Sequence, residues 1–250
     1  MKEISDSLQR DHTAEAIAQR LGAAKNHSYV GDFVLGAVDG AVTTFAIVAG
    51  AAGAGLSNGV VLVLGLANVL ADGFSMAAGN FLRARSDQQV LQRFRVQEET
   101  HIERVPDGER EEIRQIFRGK GFDGEILERV VQVITDDRQR WVNTMLTDEW
   151  GLQLQPPSPW RASLATLSAF VLAGLVPLAP IVVHMNRRAD EVFAVSAIST
   201  GATFFAIGIA RGRVADRRPL AAGLETFLVG GSAAFVAFLV GWLLQGLATH

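Results

Sequence analysis

The chain has 250 residues with a formal net charge of −3 and 20% charged residues, averages that a soluble domain could share. It has no cysteine, which excludes a disulfide framework and any thiolate metal site. The slight acidity and the lack of a nucleic-acid motif argue against a nucleic-acid partner.

The distribution of charge is more informative than its average. The first segment, 1–31, mixes Lys2, Arg10, Arg20 and Lys25 with acids and has no apolar signal-peptide core. Within it, residues 10–25 place Ile17 and Leu21 at helical spacing. They predict a short cytosolic amphipathic helix against the membrane surface or a partner. Segment 32–83 then holds two predicted membrane spans, 33–56 and 60–82, joined by a turn at Ser57-Asn58-Gly59. Between Phe33 and Leu82 the charged residues are Asp39 and Asp72 alone.

Residues 83–150 hold 15 Asp/Glu and 12 Lys/Arg, more than half of the chain's charges, so this stretch must lie in water. The predicted domain, 84–159, is helical. The second span continues as one helix to Arg104, where Pro106-Asp107-Gly108 breaks it. Asp107 is expected to cap a helix reaching Lys120 and closed by Gly121, and Asp123 to start another. Thr135 or Asp136 is expected to cap the last, which ends at Trp150-Gly151. After Pro156-Pro157-Ser158-Pro159, segment 160–250 holds three more spans, 160–184, 191–211 and 223–247. Pro177 and Pro180 fall late in the third, where neighbouring helices can satisfy freed backbone groups. Arg83, Arg85, Arg161, Arg211, Arg213, Arg217 and Arg218 all flank one side, against Arg187 and Arg188 on the other. This places the amino terminus and the charged domain in the cytoplasm and the carboxyl terminus outside.

The fold class is therefore an all-α integral membrane protein with five transmembrane helices and a cytosolic helical domain between spans two and three. A charge at the bilayer centre costs about 3 kcal/mol on insertion scales. Asp39 and Asp72 must accordingly face protein, water or an ion. Asn68, Asp72 and Met76 are four residues apart and share one helical face, and Asp32, Asp39 and Thr43 make a similar stripe. Carboxylate, amide and thioether together suit a divalent metal of borderline softness. In the charged domain, Glu98 and His101, and Glu109 and Glu112, are spaced to share a face, as are Met145 and Glu149. Together they offer carboxylates, an imidazole and a thioether. The bland reading is a solvated face, since acids also favour a helix's first turn. Gly36, Gly40 and Gly50 give the first span a small-residue face, expected to bring two copies of that span into close contact.

The stretch from Asp39-Gly40-Ala41-Val42-Thr43-Thr44 to Gly50, followed by Asp72-Gly73-Phe74-Ser75-Met76-Ala77-Ala78-Gly79-Asn80, resembles the vacuolar iron transporter family and its bacterial and nodulin-like relatives. The resemblance continues through Val105-Pro106-Asp107-Gly108-Glu109, 145–152 and 174–180, and spans residue 31 to the end. It implies five spans, a homodimer with the pathway between the two first spans, and proton-coupled export of Fe²⁺ or Mn²⁺ from the cytosol. Asp39 and Met76 match the family's intramembrane residues. Glu98, Glu109, Glu112, Glu149 and Met145 match its cytosolic ligands. Three positions depart from the pattern. Asn68 stands at a family glutamate with Asp72 one turn on, His101 replaces another glutamate, and Leu146 replaces a methionine.

The expected function is metal/proton antiport in a bilayer and not enzymatic catalysis: Fe²⁺, Mn²⁺ and also Zn²⁺ are expected to be bound or carried, with no resident cofactor. A bacterial inner membrane suits the compact, cysteine-free chain. The alternatives are an intramembrane enzyme and a metal sensor or scaffold. An enzyme reading is disfavoured because no span interior carries a histidine base for Ser75, and no second Glu-x-x-His exists for a di-iron centre.

Overall fold

The computed structural model describes residues 12–23, 28–215 and 217–248. Among these the elements are helical: α1 (Ala14–Ala23), α2 (Val30–Gly53), α3 (Asn58–Arg104), α4 (Pro106–Gly119), α5 (Gly124–Thr135) and α6 (Arg138–Thr144). A π-helical turn, Met145–Glu149, extends α6. There follow α7 (Pro159–Gly174), α8 (Ala179–Val183), α9 (Ala189–Val214), α10 (Pro219–Leu243) and α11 (Gln245–Ala248). The ends of the expected 10–25 helix lie outside the described residues, and Ile17 on α1 is half-buried.

The chain divides into two compact units, one comprising α1 and Arg83–Ser158, the other Ser28–Leu82 and Pro159–His250. The division falls within α3, which runs for 47 residues without interruption. Its continuity follows from the sequence: no proline intervenes between Asn58 and Pro106.

Among the described residues four helices are long and apolar enough to cross a membrane, namely α2, α3, α9 and α10. Their outward surfaces are apolar too. Phe74 is 71% and Ile198 75% exposed, which a water-facing surface of this extent would not tolerate. Stretch 160–184 is helical in two pieces, α7 with 16 residues and α8 with 5. The break follows from Pro177 and Pro180, which lack the amide hydrogens that would continue the ladder. Ser196 Oγ of α9 donates to the Pro177 carbonyl at 2.6 Å, so one backbone group exposed by the break is satisfied from a neighbouring helix. Phe45, Val69, Leu178 and Phe204 belong to the core of this unit.

The small-residue face of α2 is used inside the chain, which corrects the sequence expectation of contact between copies. A Cβ on Gly36 would lie 2.3 Å from the Thr166 carbonyl oxygen, and one on Gly40 at the same distance from that of Phe170. Gly50 and Gly241 approach as closely, so α2 is packed between α7 and α10. The turn before α3 also differs from expectation. Gly55, at φ +70°, makes it, while Asn58 begins the helix and donates through Nδ2 to the Met185 and Arg187 carbonyls, each at 3.2 Å.

In the charged unit, α4 to α6 pack around Ile113, Leu127, Val131, Ile134, Trp141 and Met145. Helix α4 begins at Pro106, so Asp107 lies in the first turn and pairs with Arg110 instead of capping. The cap of α6 is Asp137, whose carboxylate accepts from the Arg140 amide at 2.7 Å, in place of Thr135 or Asp136.

Candidate metal sites

Helical spacing brings Glu98 and His101 to one face of α3, and the tight joint at Val105 turns α4 so that Glu109 meets them. One ligand atom from each of these three residues lies within 4.8 Å of the others. His101 Nδ1 is 3.2 Å from Glu109 Oε1. Glu98 is 1% and Glu109 2% exposed, burial that acidic side chains avoid without a partner. Glu98 Oε1 accepts from the Trp150 indole at 3.0 Å, yet Glu98 Oε2 and Glu109 Oε2 are buried with no hydrogen-bond partner. Two orphaned carboxylate oxygens beside an imidazole fit a cation that would bridge them.

The electrostatics separate these acids from their neighbours. Burial, then the charges of Glu112, Glu98 and Glu149, push the Glu109 carboxyl up to about 8. Burial, then Glu98 and Glu112, push Glu149 up to about 7. On the same helix as Glu109, Glu111 is held below its ordinary value by a hydrogen bond from Arg114, the behaviour of a solvated ion pair. Glu112 is exposed and adds negative field at the rim, and Glu149, accessible over much of its surface, has a partly desolvated carboxyl. Met145 is fully buried in the helical core.

Sequence reasoning missed Trp150. It is held by Phe94, whose ring centroid is 4.2 Å away, and fixes the orientation of Glu98. The available signal was Phe94 one turn before Glu98 on the same face of α3. The π-helical turn that ends at Glu149 was also unannounced, and such turns concentrate at functional sites. Replacing Trp150 with Phe should keep the ring packing and weaken metal binding about tenfold, the usual effect of losing an outer hydrogen bond to a ligand. Equilibrium metal titration of the full-length protein checks this.

In the apolar unit, Asp39 of α2 is half-buried and Asp72 of α3 is exposed on the single chain. The two lie within electrostatic reach of each other. Thr43 Oγ1 donates to the Asp39 carbonyl at 2.9 Å, leaving its lone pairs available. Met76 is half-buried, and Asn68 Nδ2 is buried with no hydrogen-bond partner. A separate polar knot joins α2, α3 and α7. In it Asn80 Nδ2 donates to Asp32 Oδ1 at 2.9 Å, Thr166 Oγ1 at 2.8 Å and the Ala162 carbonyl at 3.2 Å. Asn80 was legible only as an amide in an apolar helix.

A family model described as the VIT family matches residues 30–242. The chain belongs to the VIT family. The match covers both units. Among relatives, it is 33% identical to a vacuolar iron transporter of Toxoplasma gondii over 225 residues, covering 87% of this chain and 74% of the relative. It is 34% identical to vacuolar iron transporter 2 of Oryza sativa subsp. japonica, covering 84% and 85%. With vacuolar iron transporter 1 of Arabidopsis thaliana the identity is 32%, covering 86% of each chain. Membership in the VIT family and the four long apolar helices make this a multi-pass membrane protein.

Proposed function

We propose that this VIT-family protein exports a divalent transition metal, Fe²⁺ or Mn²⁺, from the cytosol in exchange for protons. The observation that carries the reading is the pair Asp39 and Asp72, carboxylates in reach of each other on helices otherwise free of charge across residues 33–82. The names of the relatives support iron as cargo. Stretch 160–184 serves as the third of five spans, interrupted around Pro177, and the flanking arginines put the amino terminus in the cytoplasm and the carboxyl terminus outside. Residues 84–159 act as a cytosolic metal-binding domain, with Glu98, His101 and Glu109 at its centre and Glu112, Glu149 and Met145 around them. A bacterial inner membrane is the proposed location.

The working unit is a homodimer. Asp72 is exposed on a single chain, and a carboxylate facing lipid is costly, so a second copy covers it. A two-fold axis doubles the ligand set and brings like charges together, which favours proton uptake when the metal leaves. The α2 face toward that axis carries Asp39, Thr43 and Ala46, all half-buried, since Gly36 and Gly40 are engaged elsewhere. A single cysteine at Ala46 is expected to cross-link to its twin on oxidation in membranes. One at Ala49, which is buried in the chain, is expected to stay unlinked. Gel mobility reads the result.

The charged unit should bind metal more tightly as pH rises. Protons at Glu109 and Glu149 compete with the ion between about 7 and 8. Going from pH 6 to pH 8 should raise affinity by at least about tenfold with proton release, measured by calorimetry in two buffers of different ionisation enthalpy. The sign for folding is the opposite. A carboxyl raised in the folded state costs stability as pH climbs from its unfolded value toward about 8, so the metal-free unit melts lower at pH 8 than at pH 5. Uptake of a panel of divalent metals into proteoliposomes tests the transport reading itself: Fe²⁺ or Mn²⁺ should accumulate, and absence of flux for every metal would remove it.

A further inference from the structure

The α9–α10 hairpin carries a group of arginines that metal transport does not use. Arg211 and Arg213 lie in the last turn of α9, and Arg217 and Arg218 immediately precede α10. Arg211, Arg217 and Arg218 line a pocket of about 720 Å³ together with Ala221, Ala222 and Glu225. Glu225 Oε2 accepts from Arg211 Nη2 at 2.6 Å, which fixes one guanidinium at the pocket wall. Among the described residues no carboxylate forms an ion pair with Arg217 or Arg218. Asp216 lies outside the described residues, and even counting it, four arginines face two acids across 211–225.

Arginines beside a span also set topology, and that role needs only charge on the correct side. It does not need three arginines lining one cavity between two helices. The guanidinium fork matches the oxygens of a phosphate, and basic pockets between membrane helices are suited to lipid headgroups. What lies beside the pocket distinguishes a lipid from a soluble anion. Leu220 is 70% exposed, Leu224 is exposed one turn further along α10 on the same face, and Val214 is exposed on α9. An apolar ridge leading away from the arginines gives an acyl chain a surface that a free phosphate would leave bare.

We propose that the pocket at the basic end of the α9–α10 hairpin binds the phosphate headgroup of an anionic lipid, with the acyl chain lying along Leu220 and Leu224. This rests on the membrane assignment and not on which metal is carried.

The test uses the full-length protein in nanodiscs of phosphatidylcholine containing a few mole per cent of phosphatidylglycerol, with retained lipid counted by native mass spectrometry. Wild type should retain phosphatidylglycerol in preference to phosphatidylcholine, and Arg217→Gln with Arg218→Gln should lower that retention about tenfold or more. Arg83→Gln with Arg85→Gln removes the same charge elsewhere and should leave retention unchanged. Arg217→Lys with Arg218→Lys keeps the charge that sets topology and loses the fork, so it should insert normally and retain severalfold less lipid. If the glutamine pair fails to insert, the lysine pair decides, and undiminished retention there overturns the proposal. It is overturned equally by no preference in wild type, by equal losses in both glutamine pairs, or by inorganic phosphate at millimolar concentration stripping the lipid.

Discussion

Asp39→Asn and Asp72→Asn are each expected to insert and fold as wild type does and to lower metal flux by about a hundredfold or more, about 2.7 kcal/mol of transition-state stabilisation. The physical argument separates ligand from scaffold. Neither carboxylate forms an ion pair among the described residues, so neutralising it breaks no salt bridge and relieves an intramembrane charge. Insertion and thermal stability should hold or improve. A transported cation loses a formal negative charge that an amide cannot replace. Flux in proteoliposomes, normalised to folded protein, reads the effect. Near-normal flux in both variants would show that the two carboxylates are structural.

The second large effect belongs to the charged unit. Glu98→Gln with Glu109→Gln should abolish measurable metal binding there, a loss of about a hundredfold or more, since two ligands are removed where even an outer contact is worth tenfold. Transport should slow without stopping, because Asp39 and Asp72 remain. The same pair should raise the melting temperature of the metal-free protein at pH 8, where buried carboxylates without a cation cost most. A structural role for these acids predicts the reverse, a lower melting temperature with metal affinity unchanged. Calorimetric titration and thermal unfolding on one preparation separate the two cases.

Charge patterning made the helices legible because water and lipid sort residues more strongly than propensity does. The uninterrupted α3 followed from the lack of any proline before Pro106, whereas 160–184, read as one span that tolerates Pro177 and Pro180, is helical in two pieces. Caps were less legible: Asp107, Asp136 and Asp137 are equally good capping residues, and tertiary placement chose Asp137. The glycines of α2 misled for a different reason. A small-residue face says that some backbone comes close and not whose, and here the backbones are those of Thr166 and Phe170 in the same chain.

The site was legible as far as helical spacing reaches. Glu98 with His101, and Glu109 with Glu112, could be read from helical spacing, but not which of these side chains would be buried together. What singles out Glu109 is its burial beside His101 of α3: Arg114 of its own helix answers Glu111, and nothing answers Glu109 Oε2. Trp150 and the π-helical turn before it depend on how the end of the helical unit folds back onto α3, so helical spacing offered only Phe94 beside Glu98 as a signal.

Simultaneous recording of metal and proton movement in proteoliposomes bears most directly on the account. With the purified protein, Fe²⁺ or Mn²⁺ flux should drive protons in the opposite direction, an imposed pH gradient should drive metal uphill, and Asp39→Asn should eliminate both movements together. Metal flux that ignores the pH gradient, or that persists in Asp39→Asn with protons still moving, would contradict a carboxylate-based exchange.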